Sequence, residues 1–365
     1  RQGYELSLIS SQLVKLMRKQ DGNFTHLRDF KLSTPLGTGA RCELELRAVG
    51  SRLTAKLNGV TLGEVEDSAL TGGQFSVGNS RGTLFLEALQ FLPLAAPAVS
   101  PAGTNSPTPA AANKDAPFVN ALGMKFVPVP ITGGPTSGQR VLFSTWETRV
   151  QDYEVFVKET RRKWEPAEFE QGPAHPAVNI KWDDAQAFCA WLTARERQAG
   201  NLGANECYRL PSDHEWSCAA GLGDREDAAT LPGEKSGKLQ DLYPWDGAWP
   251  PPPGTGNFSG EETVGQEFNN SLQQKKPLTG YRDDFIATAP VGSFPPNRLG
   301  LLDLGGNAWE WCEDWMDAAQ KERVLRGGSW AHGVRNMLQA SARTRSFPDR
   351  SRNNGGFRVV LAPAP

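Results

Sequence analysis

Histidine and cysteine are scarce in this chain: four histidines (His26, His175, His214, His332) and five cysteines (Cys42, Cys189, Cys207, Cys218, Cys312) in 365 residues. The cysteines are odd in number, scattered and without C-x-x-C spacing, which excludes a structural zinc site or a disulfide framework. No stretch approaches the roughly 18 consecutive apolar residues that a membrane-spanning helix needs, and the first residues carry no charged-then-apolar leader pattern. An excess of charge of one sign is also missing, with 39 Lys and Arg against 41 Asp and Glu. That balance offers no polyanion-binding surface and sets nucleic acid aside as a partner. No glycine-rich phosphate loop occurs, and Ser329 stands in no G-x-S-x-G elbow. Ser329 and Trp330 therefore read as turn and core. The chain begins at Arg1, as a processed or excised fragment would, so further domains upstream are expected and the compartment stays open.

Glycine, proline and tryptophan are plentiful, at 38, 27 and 11 residues. The length suggests two domains joined by a linker. Residues 1–94 read as short strands. Cys42 to Val49 alternates with period two, and the runs 53–57 and 60–65 flank Asn58-Gly59, a strong hairpin signal. Further strands are expected at 74–77 and 83–89. Residues 95–117 are rich in Ala, Pro, Ser and Thr with no apolar face, the composition of a semi-extended linker. Residues 118–365 form the second domain, of α+β class. It opens with a strand-like run, 124–130, whose prolines argue for a sheet edge. From Trp182 to about Gln198, Ala185, Phe188, Cys189 and Leu192 recur at helical spacing behind Asp183 and Asp184 in the first turn. A second helix starts at Ser212, with Glu215 completing a capping box, and stops at Gly221. His214 reads as a residue of that helix face rather than a ligand. Residues 222–270 are loop-rich and call for an internal staple.

Near the C-terminus, Gly300-Leu-Leu-Asp-Leu-Gly-Gly-Asn-Ala-Trp-Glu-Trp311 is followed by Arg326-Gly-Gly-Ser-Trp330 and closed by Gly355-Gly-Phe-Arg-Val-Val360. Glycines set among acids suit tight turns that bring carbonyls and carboxylates around a hard cation.

These motifs, with the stretches that begin at His175, Tyr208, Tyr243 and Thr288, resemble the formylglycine-generating-enzyme (sulfatase-modifying factor) family over residues 118–362. The resemblance implies a C-type-lectin-type fold and two structural calcium sites. The first maps to Asn257, Phe258, Asp283 and Phe285. The second maps to Asp303, Gly306, Ala308 and Glu310, with an aspartate where the family more usually has an asparagine. The family's oxidase holds copper(I) with two thiolates after the Gly-Gly-Ser turn; His332 and Met337 occupy those places here, so no copper is expected. Relatives that are non-heme iron enzymes need three facial histidines, which these four do not supply. The first domain resembles the C-terminal part of a concanavalin-like (laminin-G-like) jelly-roll sandwich.

The segment between Trp330 and Gly355 resembles the variable region of diversity-generating-retroelement proteins, with Met337 to Arg343 as a fixed packing strand. That likeness implies a non-catalytic recognition protein whose ligand face comprises Trp330, Ala331, His332, Gly333, Val334, Arg335, Asn336, Thr344, Ser346, Phe347, Arg350, Arg352, Asn353 and Asn354. The partner would be a protein or small molecule held by this face, with no nucleic acid and no membrane insertion in this fragment. Two alternatives stand beside it: a divergent metal-dependent oxidoreductase of the formylglycine-generating type, and a sensory module of a bacterial kinase.

Overall fold

The computed structural model describes residues 3–20, 23–32, 34–36, 44–49, 52–58, 60–67, 107–245, 247, 249–265 and 277–364. Contacts divide the chain into two compact units, Arg1–Leu92 and Pro93–Pro365.

In the first unit, strands β1 (Gly3–Ser10), β2 (Leu13–Gln20) and β3 (Asn23–Lys31) form one antiparallel meander. Strands β4 (Leu44–Val49), β5 (Arg52–Leu57) and β6 (Val60–Glu66) form another. Alternate side chains point inward, as period-two pleating requires. Val14 and Leu16 of β2, Phe30 of β3, and Leu53 and Ala55 of β5 make one buried cluster. Asn58 takes a left-handed φ of 49° at the turn between β5 and β6, where the Asn-Gly pair places it. The strands expected at 74–77 and 83–89 lie outside the described residues.

The second unit is α+β. Its five-stranded sheet runs β10–β15–β9–β8–β7, built from β7 (Phe118–Val119), β8 (Lys125–Pro130), β9 (Arg140–Ser144), β10 (Glu206–Arg209) and β15 (Val360–Pro363). Both faces are covered. Phe126, Leu142 and Leu361 face a cluster with Phe156 and Phe188, from helices α1 (Val150–Thr160) and α2 (Trp182–Gln198). Val127, Val141, Phe143 and Val360 face a second cluster around Trp216 of helix α3 (Asp213–Ala219). A sheet buried on both sides needs apolar residues at successive positions, which is how these strands read. β7 pairs only with Lys125 and Phe126, so β8 is a free edge where Pro128 and Pro130 fall and their missing N–H groups cost nothing. Helix α2 has the expected bounds, and α3 carries the expected capping box, with Ser212 accepting from the Glu215 amide and Glu215 from the Ser212 amide. A short helix, α4 (Pro232–Lys235), interrupts the loop-rich stretch.

A four-stranded sheet, β13–β12–β11–β14, carries the C-terminal motifs: β11 (Trp309–Trp315), β12 (Arg323–Arg326), β13 (Arg343–Ser346) and β14 (Gly355–Gly356). Two expectations are revised. Within the segment read as linker, Ala112 is buried in the main core, and Arg140 donates to the carbonyls of Pro109 and Ala112, so this end is packed onto the body. Met337–Arg343 is not a strand. It is a buried run of turns, anchored by the Ala340 amide on the Leu242 carbonyl and by Ala342 on Gln339, and only Arg343 belongs to β13.

Candidate functional site

Left-handed backbone gathers the first group of functional residues. Asp303, Gly306 and Asn307 have φ of 56°, 87° and 52°. A side chain at 306 would put Cβ 2.2 Å from the Asn257 carbonyl oxygen, so glycine is required and the two predicted cation turns are in direct contact. The Asn307 amide donates to that same carbonyl (2.9 Å), and Asn257 Nδ2 donates to Asn307 Oδ1 (3.1 Å) and to the Ala287 carbonyl (2.8 Å).

All four residues of the first turn come together. Asp283 accepts from the amides of Phe258 (2.8 Å) and Phe285 (2.9 Å). Asn257 Oδ1 is buried with no hydrogen-bond partner. Among the described residues no hydrogen bond reaches the carbonyls of Phe258 or Phe285. Burial pushes the Asp283 carboxyl up to about 7. An orphaned amide oxygen, two open carbonyls and a buried carboxylate match the oxygen-rich donor set of calcium.

The second turn is built differently from its expectation. Glu310 is fully buried, and both of its oxygens are engaged: Arg358 Nη2 lies 2.7 Å from Oε1, and Trp216 Nε1 donates to Oε2 at 2.9 Å. It is first an ion-pair partner, and any cation would have to share it. Asp303 accepts the Gly292 amide at 2.7 Å, and burial raises it to about 6. Sequence reasoning missed Glu147, which is wholly buried and accepts from Asn307 Nδ2 (2.8 Å) and the Ala308 amide (2.9 Å). Burial, then the charges of Asp303 and Glu310, hold its carboxyl well above the usual range. Three buried acids thus surround one arginine, an excess of negative charge that a divalent cation would balance. Among the described residues no three His, Cys, Asp or Glu side chains converge as a ready-made metal cluster, so any site here depends on carbonyl and amide oxygens as well. Nothing adjacent in sequence marks Glu147; its only signal is a buried acid beside a strand end.

At the two positions after the Gly-Gly-Ser turn, His332 is mostly enclosed and stacks edge-on against Trp309, with ring centroids 5.4 Å apart. Its Nδ1 lies 2.8 Å from Ser329 Oγ, which accepts from Asn354 Nδ2 at 3.0 Å. Burial lowers His332 to about 4, so the ring is neutral at physiological pH and shares one hydrogen with Ser329 Oγ at Nδ1.

The structure divides the expected ligand face by exposure. Trp330, Ala331, Gly333, Ser346, Asn353 and Asn354 are buried and support the segment from beneath. Trp330 packs edge-to-face with Phe169, and Asn353 Oδ1 accepts from Asn179 Nδ2 and the Glu168 amide. His332, Val334 and Thr344 are half-buried, while Arg335, Asn336, Phe347, Arg350 and Arg352 are exposed. Below them lies an ion network. Asp213 meets Arg326 (2.7 Å), Arg343 (2.8 Å) and Lys235 (3.0 Å), and Arg343 also meets Glu226 (2.5 Å). His214 stays on its helix face, with Nε2 2.6 Å from the Thr132 carbonyl. The sequence signal passed over there is Cys218, one helical turn on, whose side chain raises the imidazole's proton affinity.

Residues 69–363 match the family model described as "Sulfatase-modifying factor enzyme 1-like domain". The chain is 32% identical over 212 residues to the "Formylglycine-generating enzyme" of Bos taurus, covering 53% of this chain and 46% of that protein. It is also 32% identical over 192 residues to the "Inactive C-alpha-formylglycine-generating enzyme 2" of Bos taurus, covering 51% and 50%. It thus spans about half the length of these relatives. Among solved structures, "Treponema denticola variable protein 1" aligns at 20% identity with a TM-score of 0.40, covering 66% of this chain and 96% of that one.

Proposed function

Because this chain belongs to the sulfatase-modifying factor enzyme 1-like family, we propose that it keeps the family's scaffold as a recognition module, without the copper oxidase chemistry. One observation carries the reading. Where the resemblance requires two thiolates for copper(I), the chain has Met337 and a neutral His332 whose Nδ1 is already engaged by Ser329. The surface that remains presents Arg335, Asn336, Phe347, Arg350 and Arg352. Arginine and phenylalanine on a rigid, ion-paired floor suit recognition of a protein or small molecule. We read the unit as a C-type-lectin-type fold, with the 331–354 segment diversified in the manner of retroelement variable proteins. The first unit is read as part of a concanavalin-like sandwich, supported by its two antiparallel sheets sharing one core.

Calcium belongs to this proposal as a structural staple. Asn257, Phe258, Asp283 and Phe285 would hold one ion; Asp303, Gly306 and Ala308 would hold a second, with Glu310 shared with Arg358 and Glu147 adding charge. A bound ion supplies fixed positive charge that locks irregular loops, and the residues themselves set the turns that carry the recognition segment.

Sequencing independent copies of the gene tests the recognition reading. Substitutions gathered at the exposed positions of 331–354, with a nearby reverse transcriptase and a near-copy of those codons, support it. A uniform segment removes diversification. A second reading, a divergent oxidoreductase, is favoured by the relatives named as formylglycine-generating enzymes. Copper-dependent oxygen consumption with a cysteine-containing peptide would establish it, and would end the recognition reading.

A further inference from the structure

Beside the 335–337 turn lies an open cavity of about 600 Å³, walled by two segments distant in sequence, 236–241 and 335–343. Its charged groups are already committed. Arg335 pairs with Asp241 and donates from Nε to Tyr243 Oη at 2.8 Å. Arg343 uses all three nitrogens on Asp213, Glu226, Ser217 and the Ser341 carbonyl. Three lining side chains make no hydrogen bond among the described residues: the amides of Gln240, Asn336 and Gln339. Gln339 is only 8% exposed, so most of the residue is packed into the wall. Met337 and Ala342 add a small apolar patch.

We infer that this cavity binds a neutral saccharide unit, a deepening that rests on reading the 331–354 face as a recognition surface. Each open amide offers both a donor and an acceptor, and a sugar hydroxyl is likewise both, so the three can pair with successive hydroxyls. Each lining cation already has an ionic partner, Asp241 for Arg335 and Asp213 with Glu226 for Arg343, so a carboxylate or phosphate would have to compete with an existing pair. The C–H face of a sugar ring fits the apolar patch. An extended peptide would need a free strand edge. The strand that reaches the cavity, β13, is an edge strand, but the residue at its cavity end, Arg343, has its amide held by Ser236 Oγ at 3.2 Å.

The test titrates the full chain with cellobiose, lactose and diacetylchitobiose by calorimetry and saturation-transfer NMR, with glucuronate and N-acetyl-glycyl-glycine amide as comparators. The expected result is binding of a neutral disaccharide that Gln339→Leu weakens about tenfold, the effect of one well-made hydrogen bond. Glu154→Ala, on the exposed side of α1 and outside the cavity lining, should leave that binding unchanged. Gln240→Leu, at an exposed position, serves as the second variant if Gln339→Leu does not fold. Absence of neutral disaccharide binding, tighter binding of glucuronate or the peptide, or indifference to both glutamine variants would overturn the inference. If it fails while gene copies vary at 331–354, recognition stands with another ligand class. Copper-dependent oxygen consumption would instead remove the reading beneath it.

Discussion

Gly306 is the residue on which the two cation turns meet, and its tolerance is the narrowest in the site. Alanine there would hold a φ of 87° and drive Cβ to 2.2 Å from the Asn257 carbonyl. Gly306→Ala should cost about 3 kcal/mol in urea unfolding, combining backbone strain with overpacking. Asp213 sets a second test. Burial alone would raise its carboxyl, but the charges of Arg326 and Arg343 hold it well below the usual range. A depressed folded-state pKa contributes stability that is present above the unfolded value of about 4 and is lost as pH falls toward the folded one. Asp213→Asn should therefore destabilise by about 4 kcal/mol at pH 7, by stranding buried cations, and the gap from wild type should shrink below about pH 4. A gap that stays constant into acid would show that the network is not electrostatic. At this scale Gly306 was legible as a turn glycine, a local rule, whereas Asp283 entered only through the family resemblance. Glu147 was not legible, because its partner amide lies 161 residues away.

Elements followed local chemistry more closely. Helix α2 spans the residues its apolar spacing marks, and α3 begins at its Ser212 cap and ends within two residues of Gly221, since these signals are contained within about four residues. The α3 cap should be measurable: Ser212→Ala is expected to lower stability by about 1 kcal/mol. Glu215→Ala should cost more, about 3 kcal/mol, because Glu215 also forms a nearly buried bidentate pair with Arg209 and accepts from Thr136. Equal losses for the two variants, measured by chemical denaturation, would mean that the cap alone matters. The heptad 337–343 shows where local reading stops. Its mix of apolar and small residues looks like a strand, yet the Ala340 amide is claimed by the Leu242 carbonyl, a partner no local pattern announces.

At the scale of the molecule, the calcium proposal predicts that a chelator-treated protein regains thermal stability on adding calcium, by about 3 kcal/mol at a hundredfold excess over the dissociation constant. Asn257→Ala should reduce that gain, and an unfolding transition indifferent to chelator and calcium would remove the staple. The sequence by itself determined the family, the division into a strand-rich first part and an α+β second part, the helix caps and the order of the turn motifs. Each of these is written in short-range spacing or in several motifs held in fixed order. Only the tertiary structure decided which residues of 331–354 meet solvent, that Glu310 faces Arg358, that Glu147 joins Asp303, and that three amides line one cavity. Burial and pairing there arise where segments far apart in sequence are pressed together, and no one-dimensional pattern encodes which side of a turn faces the core.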